Sequence, residues 1–127
     1  MTLRTAAEKS HSSDPETLLV WAEVLTIEAD FLDPNDHETT TLKKESLALF
    51  FKGAALPKAR PDAAAWLRYG AMREAARLGA DAAIPGVTTR GPALELEIGR
   101  AFLAAPAPRG LKTEIAYRTA ELADGAN

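Results

Sequence analysis

All eight prolines stand either in the first turn of a stretch that reads as helix or in the connection between two such stretches, and this punctuation constrains the fold more than any other feature. Proline lacks a backbone N–H and clashes with the preceding turn, so it opens helices and interrupts them but does not sit quietly inside them. Ser13 and Pro15 predict a first helix, with Ser13 as cap and Glu16 completing a capping box. It runs to about Leu32, where Asp33-Pro34-Asn35-Asp36 stops it. A second helix begins after Asp36 or near Thr41, carries Leu42, Leu47, Leu49, Phe50, Phe51 and Leu56, and leaves through Pro57 and Pro61. Pro61-Asp62 opens a third that ends at Gly79, the residue type best suited to a left-handed C′ position. Gly70 inside it costs about 1 kcal/mol against alanine, which a close helix crossing would explain.

Ala80 to Pro92 is the one long irregular loop, broken by Pro85-Gly86 and Gly91-Pro92. Pro92 opens a fourth helix with Leu94, Ile98, Ala101 and Phe102 on one face, ending before Pro106-Ala107-Pro108. A fifth, from Leu111 to about Ala123, turns Leu111, Ile115 and Leu122 inward. Strand evidence is confined to Gly86-Val87-Thr88-Thr89. With 127 residues there is room for one core, and with alanine at about a fifth of the chain and aromatics at 6% that core is built from close-packed helices. The expected fold is all-α: a compact bundle of about five helices forming a single domain over residues 13–127, preceded by a flexible arm at 1–12. Trp66 and Tyr69 are expected in its core.

The net charge of −3 gives no general attraction to nucleic acid or anionic membrane. The absence of cysteine removes disulfide and thiolate chemistry. No stretch of 18 apolar residues is present and Met1–Ser13 lacks the apolar run of a signal peptide, so no membrane partner is expected. Cytoplasm is the default compartment, with a virion as the alternative. Asp33 to Lys44 fails as a calcium loop, because Glu38 occupies the position of the turn glycine and Lys44 that of the twelfth-residue carboxylate. His11 and His37 are too far apart in the chain to suggest zinc. No metal site, cofactor motif or catalytic residue is assigned: Glu95 and Glu97 leave a helix on different sides, and no nucleophile elbow or phosphate loop is present.

Three surfaces remain as candidates. The first helix carries two apolar stripes, Leu18, Trp21, Ala22, Leu25, Ala29, Leu32 and Val20, Val24, Ile27, Phe31. It therefore either lies at the centre of the bundle or uses the second stripe as an interface. A basic segment over residues 43–77 holds Lys43, Lys44, Lys52, Lys58, Arg60, Arg73 and Arg77, a candidate nucleic-acid contact. Arg90, before the helix at Pro92, is a candidate anion contact in the 84–92 loop. The leading expectation is a non-enzymatic protein that binds another protein, including a second copy of itself: an adaptor, an inhibitor or an assembly subunit of the kind found as virion connectors or phage-encoded inhibitors. Nucleic-acid association through 43–77 and a small-anion or enzymatic site at 84–92 are the alternatives.

Overall fold

The computed structural model describes residues 14–126, and the regular structure among them is entirely helical. The helices are α1 (Pro15–Asp30), α2 (His37–Ala55), α3 (Pro61–Leu78), α4 (Gly91–Leu103) and α5 (Arg109–Ala126), with a short 3-10 turn at Gly79–Asp81. The segment expected as an arm, 1–12, and Ser13 lie outside the described residues. The cap of α1 is Asp14, whose carboxylate accepts the Glu16 N–H at 3.2 Å and the Thr17 hydroxyl at 2.8 Å. Asp36 caps α2 in the same way, accepting from the Glu38 N–H at 2.9 Å. Asp33 holds the turn between them, its side chain accepting from the Asn35 N–H and its carbonyl from the Thr39 hydroxyl. The acidic run around Pro34 is thus a pair of helix ends and a turn.

Each helix packs on the next in sequence, most extensively α1 on α2 and α2 on α3, and α3 also touches α1. Short connections leave consecutive helices adjacent. The core is drawn from Ala22 of α1, Leu47 and Phe50 of α2, Leu67, Ala71 and Met72 of α3, Leu94, Ile98 and Phe102 of α4, and Ile115 of α5. α3 supplies five buried alanines, Ala63, Ala64, Ala65, Ala71 and Ala75, which let its neighbours approach closely. The tightest glycine contact is at Gly70, where a Cβ would collide with the edge of the Phe50 ring. The ring occupies the space of the missing side chain, and the Arg73 guanidinium lies 5.5 Å from its centroid. Gly79 ends α3 with φ +57°.

Besides the cap of α1, which is Asp14 where the sequence reading expects Ser13, two details differ from that reading. Gly86 to Thr89 forms no strand; Pro85-Gly86 sits in a turn closed by the Val87 N–H on the Ile84 carbonyl at 3.0 Å, with Gly86 at φ +83°. Trp66 is 46% exposed rather than part of the core. It meets Tyr69 edge-on at 5.9 Å; Tyr69 is half-buried and packs against the core, while Leu67 and Ala71 take the inward positions.

Replacing Gly70 with alanine is expected to lower unfolding stability by about 1–3 kcal/mol, because displacing the Phe50 ring outweighs the ~1 kcal/mol gained in helix propensity. Trp66→Ala is expected to fall well short of the ~3–5 kcal/mol typical of a buried tryptophan. Urea unfolding of both variants reads these differences directly.

Candidate functional site

Helix α1 presents opposite faces to the bundle and to solvent. Leu18, Ala22, Leu25 and Ala29 are buried against α2 and α3. On the other side Val20 is 58%, Ile27 54% and Phe31 86% exposed, and Val24 between them is half-buried. The second apolar stripe therefore has no cover within the described residues, and α1 is an outer helix rather than the bundle's centre. Along the α3 side, Glu23 pairs with Arg73 at 3.3 Å and Asp30 with Arg77 at 3.2 Å. These pairs neutralise two of the carboxylates that border the stripe.

Behind the stripe lies a polar centre that no motif signalled. Glu74 of α3 is fully buried, together with Thr26 of α1 and Ser46 of α2. Ser46 donates its hydroxyl to the Ala22 carbonyl at 2.9 Å. The Thr26 hydroxyl lies 2.8 Å from Ser46 Oγ and 3.1 Å from Glu74 Oε1, its one proton shared between them. Glu74 Oε1 also accepts from Arg73 Nε at 3.3 Å and Arg77 Nη1 at 3.4 Å, while Oε2 has no hydrogen-bond partner among the described residues. A buried carboxylate left without such donors carries a desolvation cost of several kcal/mol, so this centre admits only the arrangement of three helices that brings them together. The spacing held the only signal: Glu74 follows the inward-facing Leu67, Gly70 and Ala71 at seven, four and three residues.

A second buried carboxylate ties α5 to α4. Glu95 receives Arg118 in a two-pronged pair, Nε to Oε2 at 2.6 Å and Nη2 to Oε1 at 3.0 Å. This hydrogen bonding raises the Arg118 guanidinium above its ordinary value. Glu97 faces solvent and accepts from Thr89, so Glu95 and Glu97 do leave α4 on different sides. The Tyr69 hydroxyl bonds both oxygens of Glu114 on α5, at 3.1 and 3.2 Å. Partial burial first, and then the Glu114 carboxylate, push the Tyr69 phenol above its usual value.

The basic residues do not gather on one face. Arg60 pairs with Asp62 at 3.1 Å and lies 3.9 Å from Glu16, while Arg73 and Arg77 are turned onto Glu23, Asp30 and Glu74. Lys43, Lys44 and Lys52 leave α2 in directions that a 100° step per residue separates widely, and Lys58 lies in the following turn. Arg90 stands at the start of α4 and lines a groove with Lys44. Among the described residues no group of three or more His, Asp or Glu is placed to hold a metal ion. No helix among them is long and apolar enough to cross a membrane. Comparison with known protein families, curated proteins and solved structures finds no match to this chain.

Glu74→Ala is expected to cost about 1–3 kcal/mol in chemical denaturation, because it takes the shared acceptor from the buried Thr26 hydroxyl while Arg73 and Arg77 keep Glu23 and Asp30. Tyr69 gives a pH dependence of known sign. Its folded value lies above its unfolded value of about 10, so the stabilisation it contributes is fully present below that pH and is lost as pH rises through the folded value. In a Tyr117→Phe background, tyrosinate absorbance should titrate above the free phenol, and Glu114→Gln should bring the midpoint down.

Proposed function

We propose that this chain acts by binding another protein, without a catalytic step, and that its contact surface is the outward stripe of α1. The observation that carries the reading is the exposure of Val20, Ile27 and Phe31 on one helix face, directly opposite the face that packs on α2 and α3. A soluble chain gains nothing from a row of uncovered aliphatic and aromatic side chains unless something covers them, and such patches characteristically mark contact sites. The flanking ion pairs support the same reading. Glu23–Arg73 and Asp30–Arg77 are formed within the chain, so a partner that covers the stripe leaves no bare carboxylate at those positions. The Thr26–Ser46–Glu74 centre holds the helix in a fixed orientation before contact, which reduces the ordering cost of association. Such a surface suits an adaptor, an inhibitor or an assembly subunit, and the first partner to test is a second copy of the chain.

Light scattering across a concentration series is expected to show the mass rising above the 13.6 kDa of one chain. Ile27→Asp and Phe31→Asp should hold it at one chain while changing unfolding stability by no more than about 0.5 kcal/mol, as surface substitutions do. A single-chain mass at every concentration overturns a second copy as the partner. Loss of folding in Ile27→Asp overturns the stripe as a surface.

A further inference from the structure

The loop that joins α3 to α4 builds a second feature, unrelated to the α1 stripe. Its ends are tied together by the Gly91 N–H on the Ala82 carbonyl at 2.8 Å, and its middle is held by the Pro85-Gly86 turn. At φ +83° Gly86 adopts a conformation open to glycine and strained for any other residue type here, so the turn is set by sequence. The loop leans on α2, and between them lies a groove of about 410 Å³. Ile84, Val87 and Ala48 line it with apolar surface, Ile84 being buried and the other two half-buried. Lys44 from α2 and Arg90 from the start of α4 are its cations.

Lys44 and Arg90, like Arg68, Arg100 and Arg109, stand apart from the four arginines that are committed to carboxylates of the chain. Arg60, Arg73, Arg77 and Arg118 each pair with a carboxylate of the chain. Lys44 and Arg90 have no ion pair or side-chain hydrogen bond among the described residues. The one carboxylate on the groove, Glu45, is itself partnered. The result is an apolar trough that carries two cations with no carboxylate partner among the described residues, within the size range of small-molecule sites.

We infer that this groove binds a small organic acid, with its carboxylate between Lys44 and Arg90 and its apolar body along Ile84, Val87 and Ala48. The charge of the ligand follows from the two unpaired cations, and its apolar body from the lining between them. A bare inorganic anion would leave that lining uncovered. A nucleic-acid backbone, polar along its whole length, would desolvate its charges against it. The site is formed by α2 and the 82–91 loop, so it stands or falls independently of the α1 surface.

Octanoate titrated into the uniformly ¹⁵N-labelled full chain tests it, with octanamide as the neutral isostere and inorganic phosphate as the bare anion. The expected result is saturable amide shifts centred on residues 41–48 and 83–90. Octanamide and phosphate should each bind at least tenfold more weakly. Lys44→Gln and Arg90→Gln, both on exposed side chains, should each weaken octanoate about fivefold, and the double variant further. Shifts centred on residues 20–31, equal binding of octanamide or phosphate, undiminished binding by the double variant, or no saturation at all would each overturn the inference.

Discussion

A carboxylate with no contact to water sits where three helices meet, and through one of its oxygens it takes hydrogen bonds from α1 and α3. Glu74 needs donors, and the donors available are the hydroxyl of Thr26 on α1 and the guanidinium groups of Arg73 and Arg77 beside it on α3. Thr26 is in turn placed by Ser46 on α2, whose own proton is directed to the α1 backbone at Ala22. Apolar contacts alone would tolerate small slides of one helix along another, since aliphatic burial is non-directional. A hydrogen-bonded carboxylate does not, because each displacement strands a buried polar group.

That registration determines what the molecule shows to its surroundings. With Leu18, Ala22, Leu25 and Ala29 committed inward, the 3.6-residue period of the helix sends Val20, Ile27 and Phe31 outward. Arg73 and Arg77 connect the two sides: they reach inward to Glu74 and outward to Glu23 and Asp30, so the same side chains that satisfy the core also quiet the rim of the exposed stripe. Two of the cations of the 43–77 segment, Arg73 and Arg77 on α3, are therefore committed to carboxylates of the chain. The groove between α2 and the 82–91 loop is the contrasting case, with Lys44 and Arg90 exposed and unmatched by any carboxylate among the described residues.

The helix boundaries were legible because they depend on local chemistry. Proline at a first turn, aspartate at a cap and glycine at a left-handed position act within a few residues, so α3 opens at Pro61 and closes at Gly79, and Pro92 lies in the first turn of α4. Asp14 rather than Ser13 caps α1, a shift of one residue between two side chains of equal capping ability. Gly70 was readable as a close crossing, while the ring that fills it, Phe50, lies twenty residues away. The turn at Pro85-Gly86 was equally local; that it forms one wall of a groove opposite Lys44 was not.

The sequence by itself determined an all-α chain of about five helices, where those helices begin and end to within a few residues, and the presence of two apolar stripes on the first. Only the tertiary structure decided which stripe is covered, that Trp66 faces outward, that Glu74 and Glu95 are interior, and that Lys44 and Arg90 line one trough. The physical reason is range. Backbone conformation responds to neighbours within a turn, whereas burial and charge compensation depend on side chains brought together from segments twenty to fifty residues apart.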